Sequence, residues 1–506
     1  MSRTKHFFYN SLSTALLQLL TLVAGFIVPK TMLVYYGSEI NGLISSILQF
    51  IAYFNLVEAG LSGAAIYALY KPLAENDHGS ISSIVSAAKR FYTQSGYFFL
   101  IFTTALAFLY PLCIKSSSLS RTEISLLVFI LGVNGCLEFF TLAKYRVILT
   151  AAQKTYIVSF ASIVHVIVNT VIVVVLSRNG ATIVVLRIVA LLSIFIRSAI
   201  LMTYCKYKYK FLDYKAEPNN SSLNKRWDVL FLQILGAIHI GAPVIIITLI
   251  LKDLKAVSVY SIFNMVLGGV SGILGIFVSG LAASFGDVIA KNETNILQKA
   301  SAEFEFVYYS IITVAYSVTL ITIMPFIRLF TKGVTDVNYN VPLIGFLFVL
   351  NSLLYSIKTP QGMLVISAGL YRETRWQTAT QGLIAVVTGV LLAPFWGIAG
   401  VLAGSILSNL YRDIDLLFFI PRNLTKLPVR STFYRQIRIF ASSVIIVLPF
   451  YIKLDIALNS YLEWIMLAML STGYAITVVV ITSFIFDRTV SKNVMARFNS
   501  LRGAVK

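Results

Sequence analysis

A chain of 506 residues that is 58% hydrophobic and only 12% charged cannot fold as a water-soluble globule. Its net charge of +20 invites a nucleic-acid reading, but the basic residues fall in loops between apolar runs, where anionic lipid is the natural counter-charge and nucleic acid is not a partner. Three cysteines, Cys113, Cys136 and Cys205, have no metal-like spacing, so neither a disulfide framework nor a metal or cofactor site is expected.

About 20 apolar residues are needed to cross roughly 30 Å of hydrocarbon. Runs of that kind lie near 9–35, 42–70, 91–114, 124–149, 156–177, 182–204, 229–251, 257–284, 305–328, 342–368, 376–395, 397–420, 437–454 and 461–486. Their length predicts helices rather than barrel strands, which alternate over about ten residues. The expected fold is an all-α polytopic membrane protein with about fourteen transmembrane helices. Met1-Ser-Arg-Thr-Lys-His opens the first run, which has no small-residue cleavage site and reads as a span rather than a removed signal.

The chain repeats itself. Glu58-Ala-Gly-Leu-Ser-Gly-Ala-Ala closes the second run and Ser279-Gly-Leu-Ala-Ala-Ser-Phe-Gly the eighth, with Gly60 and Gly280 220 positions apart. Ile148-Leu-Thr-Ala-Ala matches Val365-Ile-Ser-Ala-Gly, and the Asn179-Gly180 turn matches Trp396-Gly397, both at an offset of 217. A near-constant offset predicts two pseudo-symmetric six-helix lobes of the same topology, a common transporter build. The expected division is an N-terminal lobe over 1–204, a basic cytoplasmic linker over 205–228, a C-terminal lobe over 229–420, a cytoplasmic connector over 421–436, and two extra helices with a cytoplasmic tail over 437–506. Segments 71–90 and 290–304, with Ile81, Ile84, Val85 and Ala88 and with Ile296, Leu297 and Ala300, have the spacing of short amphipathic helices at the interface. The excess of Lys and Arg on the side holding both termini places that side in the cytoplasm. Loops on the other side are short, the longest near 331–341, which leaves little room for an external active site.

Ionisable residues at membrane depth are costly and mark candidate sites. Lys30 follows Pro29 in the first span; Arg187 and Arg197 share the sixth, about 15 Å apart along an unbroken helix. Lys358 sits beside the Thr359-Pro360 break of the tenth, and Arg146 lies near a span end. Together these cations predict a cavity for an anionic group, since arginine's planar fork suits phosphate. Glu58, Glu138 and Asp287 are the possible charge partners or coupling residues; the competing reading pairs each cation with an acid and makes it structural. His165 and His239 read as packing or hydrogen-bonding residues. Asp413-Ile-Asp415 has the form of a metal-binding DxD, but no nucleotide-binding domain surrounds it and it reads as chance. No Walker, HExxH or GxSxG motif is present.

Asn10 followed by an apolar run to Val28-Pro-Lys-Thr, then Tyr36-Gly-Ser-Glu-Ile-Asn-Gly-Leu, resembles the opening of polysaccharide-transporter proteins. Glu58-Ala-Gly-Leu resembles the acidic-x-Gly-Leu motif that follows there, and Trp396-Gly-Ile-Ala-Gly resembles their glycine-rich turn before span twelve. The likeness points to the O antigen flippase-like branch of the multidrug/oligosaccharidyl-lipid/polysaccharide (MOP) exporter superfamily. It implies a non-enzymatic flippase that moves undecaprenyl-pyrophosphate-linked oligosaccharides from the cytoplasmic to the periplasmic leaflet of the bacterial inner membrane by alternating access. The implied partners are the lipid-linked substrate, membrane lipids, and polymerase and glycosyltransferases of the same pathway. Alternatives are a lipid II-type flippase, a multidrug/cation antiporter of the same superfamily, and a membrane polysaccharide polymerase or ligase.

Overall fold

The computed structural model describes residues 3–58, 61–219, 236–237, 240–278, 281–451, 458–488, 490–492 and 494. Gly60, Gly280, His239 and residues 220–228 of the stretch read as a linker lie outside them. The described residues are mostly helical, without strands. Among the described residues, eleven helices are long and apolar enough to cross a bilayer. The first of these bends at Gly37, and Ile240–Leu251 and the charged Ile398–Ile420 add two more apolar segments, so each of the fourteen expected spans has a helical counterpart. The protein is an all-α polytopic membrane protein.

The chain forms two compact units, residues 1–259 and 260–506. The first contains α1 (Arg3–Phe54), α2 (Leu61–Glu75), α3 (His78–Cys113), α4 (Arg121–Leu137), α5 (Ala143–Ala151), α6 (Thr155–Arg178), α7 (Ile183–Ala190), α8 (Leu192–Lys208) and α9 (Ile240–Leu251). The division falls inside α10 (Leu254–Val278). The second unit continues with α11 (Leu281–Ala290), α12 (Thr294–Phe330), α13 (Pro342–Ile357), α14 (Thr359–Ser367), α15 (Tyr371–Trp396), α16 (Ile398–Ile420), α17 (Val429–Tyr451) and α18 (Tyr461–Phe486). Short π-helical turns occupy Glu138–Leu142, Ile247–Leu251 and Pro421–Thr425.

The motif at Tyr36–Leu43 explains how the first unit closes. Gly37 has φ 79°, a left-handed conformation that bends α1 and that a side chain would strain. Each polar residue around it then finds a partner. Tyr36 Oη donates to the Ala181 carbonyl at 2.7 Å, and Asn41 Nδ2 to Ser258 Oγ at 2.8 Å. The Glu39 carboxylate accepts from Ser117 and Ser118 in the α3–α4 loop. Gly42 lies so close to α10 that a methyl group there would sit 1.7 Å from the Leu254 carbonyl oxygen. Asn10 fixes the other end of α1, donating to the Gln153 carbonyl and accepting from Tyr156 N–H, each at 2.9 Å.

The expected short interfacial helices do not exist as separate elements. Asp77 caps α3 by accepting from Ser80 N–H, and no proline interrupts the helix before Pro111, so it runs for 36 residues. That is about 54 Å, well beyond the hydrocarbon thickness. Its first turns bury Ile81, Ile84, Val85 and Ala88 in the core. Segment 209–219 covers them: the Glu217 carbonyl accepts from Ser83 Oγ at 2.6 Å, and Ser82 Oγ from Asp213 N–H at 3.3 Å. Residues 294–304 likewise form the start of the 37-residue α12.

In the second unit the last two helices pack on α12 through buried charge. Glu305 pairs with Arg435 Nη1 at 2.9 Å, and Arg435 Nε with Asp487 at 2.7 Å. Gln361 Nε2 and Thr432 Oγ1 donate to the same Glu305 carboxylate. One turn on, Arg438 is 2% exposed and donates to the Phe306 carbonyl, Ser310 Oγ and Ser483 Oγ, with its guanidinium 4.6 Å from the Phe306 ring centroid.

Two outcomes test this packing. Gly42→Ala should lower the thermal unfolding midpoint through an overpacking cost of about 1–3 kcal/mol, whereas Gly25→Ala, with nothing within 4 Å, should leave it unchanged. Glu305→Ala should cost about 1.5–3 kcal/mol, the worth of a charged hydrogen-bond partner, because Arg435 keeps Asp487. Adding Asp487→Asn, which takes the second carboxylate from Arg435, should raise the cost to about 3–5 kcal/mol, read as lost folded yield in size-exclusion chromatography.

Candidate functional site

Inside the first unit, α1, α4, α6 and α7 enclose a cavity of about 340 Å³. Its lining includes Pro29, Met32, Asn41, Asn134, His165, Asn169 and Arg187. The size is that of a small-ligand pocket, and the polar content is high for one. Thr182 caps α7 by accepting from Val185 N–H, which sets the helix that presents Arg187. The Arg187 guanidinium approaches Met32 Sδ at 3.7 Å, while its Nε is buried without a hydrogen-bond partner. No acid among the described residues lies within ion-pair distance of it. His165 Nδ1 is also buried and unpartnered.

Arg187 and Arg197 do not share one straight helix, because the chain turns at Leu191 between α7 and α8. Arg197 pairs with Glu138 at 2.6 Å, with 14% and 43% of their side chains exposed. Glu138 opens the π-helical turn after α4, a type of distortion frequent at functional sites. Lys30 and Arg146 are half-buried and do not line the cavity. The Glu58 side chain lies outside the described residues. Asp287 is exposed and forms an i,i+4 pair with Lys291 at 2.7 Å, a surface contact.

Lys358 belongs to the second unit. It stands at the junction of α13 and α14, where the helix is interrupted before Pro360. Its ammonium donates to Asn409 Oδ1 at 2.6 Å and lies 4.5 Å from the Tyr355 ring centroid. Asn409 in turn donates to Asn351 Oδ1 at 2.9 Å and accepts from Gln381 at 3.3 Å. Among the acids, Asp413 acts on Lys358 by its charge. Both Asp413 carboxylate oxygens are buried without a hydrogen-bond partner, while neighbouring Arg412 pairs with Asp415 at 2.5 Å. The DxD pair therefore splits into two roles, neither resembling a metal site, and no cluster of metal-ligating residues occurs among the described residues. A cavity of about 510 Å³ in this unit, against α12, α13 and α17, is lined by apolar side chains such as Met324, Phe346 and Phe450, with Arg328 the charged one.

Sequence reasoning picked out Arg187 and Lys358 but missed Asn134, Asn169, Asn409 and Asp413 around them. Asparagines and glutamines inside apolar runs were the available signal, because a buried amide requires partners.

No family model matches the chain, and no curated protein matches it. Solved structures do. The lipid II flippase MurJ in an inward closed conformation superposes with a TM-score of 0.67 at 15% identity, covering 95% of this chain and 98% of that one. An inward-facing multidrug resistance MATE family transporter of the MOP superfamily gives 0.62 at 14% identity, over 84% and 95%. The MATE multidrug transporter DinF-BH gives 0.59 at 14% identity, over 84% and 98%. These neighbours are transporters, and the fold of this chain is the one they share.

Proposed function

We propose that the protein is a flippase that carries a lipid-linked oligosaccharide, an undecaprenyl-pyrophosphate-linked unit of the O-antigen or capsule kind, from the cytoplasmic to the periplasmic leaflet of the bacterial inner membrane. Arg187 carries this reading. It is a guanidinium in a polar cavity, without a carboxylate partner among the described residues, in a protein whose surroundings are hydrocarbon. Such a group is costly unless an anion meets it, and a pyrophosphate is the headgroup anion that a planar fork binds best. A collector of cationic drugs would instead hold an acid at such a place. The likeness to a lipid II flippase over nearly the whole chain supports a lipid-linked cargo.

In this reading the protein gives the headgroup alternating access to the two sides while the polyprenyl tail stays in the bilayer. Both termini face the cytoplasm, consistent with the basic loops on their side. Polymerase and glycosyltransferases of the pathway supply and consume the unit. Lys30 and Arg146 are further cations for the pyrophosphate path. Arg197 and Lys358 are weaker candidates for that path, since Arg197 is paired with Glu138 and Lys358 is hydrogen-bonded to Asn409, so their loss should be milder than that of Arg187.

The test uses a strain whose surface polysaccharide depends on this protein. Arg187→Ala should reduce export by about one to two decades, the worth of a charged hydrogen-bond partner, at unchanged protein level. Arg187→Lys should keep part of it, and Arg187→Glu should be worse than alanine. Normal export by the alanine variant would overturn the proposal. Restoration of lipid II transport, but not of oligosaccharide export, would reassign the cargo.

A further inference from the structure

Three parts of the first unit meet here: the first third of α3, α5 with the turn that leads to α6, and the end of α8 with the segment that follows. They bring together Lys89, Lys144, Lys154, Lys206 and Lys208. The ammonium of Lys144 lies 5.1 Å from the Tyr145 ring centroid and 5.8 Å from that of Tyr214, whose carbonyl accepts from Lys89 Nζ at 3.4 Å. Lys154 lies 4.8 Å from the Tyr209 ring and 5.8 Å from that of Tyr204. None of the five forms an ion pair with a carboxylate among the described residues.

The cations instead fall into two sets, each repelling within itself. Lys89 and Lys206 repel Lys144, and burial followed by the charge of Lys208 pushes the Lys154 ammonium below its ordinary range. Free lysines relieve such repulsion by swinging into water. Here the aromatic faces hold Lys144 and Lys154 in place, at a gain of about 0.5–1 kcal/mol or more for each contact. Tyr209 adds a buried hydroxyl, on a side chain 9% exposed, that has no hydrogen-bond partner. Like charges fixed together beside an unused donor lack one component, an anion.

We propose that this cluster binds the phosphate headgroup of an anionic membrane phospholipid. Position favours lipid over a soluble anion. α5 ends at Ala151, α6 begins at Thr155 and α8 ends at Lys208, so the cluster lies at the ends of membrane-crossing helices, where headgroups lie. Tyr207, 77% exposed beside it, is a residue type of the membrane interface. Basic pockets between such helices bind lipid headgroups elsewhere. The cluster shares no residue with the Arg187 cavity, so it stands or falls apart from the transport reading.

The full-length protein in detergent, titrated with phosphatidylglycerol or with phosphatidylcholine while its thermal unfolding midpoint is followed, tests the proposal. Phosphatidylglycerol should raise the midpoint and phosphatidylcholine should not. Lys144→Gln with Lys154→Gln should weaken the phosphatidylglycerol effect about fivefold per lysine removed, and the corresponding double arginine variant should retain it. Equal response to the two lipids would overturn the proposal, as would an unchanged response in the glutamine variant. Equal protection by inorganic pyrophosphate at matched phosphate concentration would overturn the lipid assignment in favour of a soluble ligand. Should the glutamine variant fail to fold, the wild-type lipid and pyrophosphate comparisons decide alone.

Discussion

An ionised group at membrane depth has no water to turn to, and that constraint arranges most of what is polar in this protein. Glu305 is held by Arg435, Thr432 and Gln361 at once, and Arg435 is shared with Asp487. A lone pair of that kind gains little over an apolar core, but breaking it is expensive. The network thus fixes where α17 and α18 lie on α12 more than it adds to stability. Arg438, with three oxygen acceptors and a ring, obeys the same rule without an acid. Arg187 does not obey it, and its incompleteness is what makes it a candidate for transport.

The fold itself does not choose a cargo. A lipid II flippase and multidrug transporters share it with this chain at 14–15% identity, so architecture narrows the class and individual residues must do the rest. Of the two cavities described, that of the second unit is lined almost wholly by apolar side chains, while that of the first unit gathers amides, a histidine and an arginine. A polar lining is costly to maintain inside an apolar body, and it is worth maintaining where something polar passes.

Length and hydropathy made the helices legible, because a span is a local property of about twenty residues. The Gly37 bend and the break at Lys358 were legible for the same reason: glycine and proline act on their own backbone. The polar partners were not. Lys358 meets Asn409 across 51 residues and Arg435 meets Glu305 across 130, and no window of sequence holds both ends. Asp413 was discounted because its neighbour Asp415 suggested a metal motif, whereas helix geometry turns the two toward different arginine and lysine partners. The stretch from 71 to 90 misled for another reason. Its amphipathic pattern is real, but the apolar face is covered by segment 209–219 and not by lipid.

The π turn at Glu138–Leu142 bears on how this chain can change over time. One extra residue in a turn rotates everything after it by about 100° relative to an unbroken helix. Val147, Ile148 and Leu149, all fully buried, cover about 200° of α5, so the helix is enclosed on most sides and its neighbours are packed to the register that the extra residue sets. A deletion within Glu138–Leu142 would mend the helix and swing those side chains out of register, so the insertion is easier to keep than to lose. Descendants of this sequence are free to vary the residues of that turn far more readily than its length.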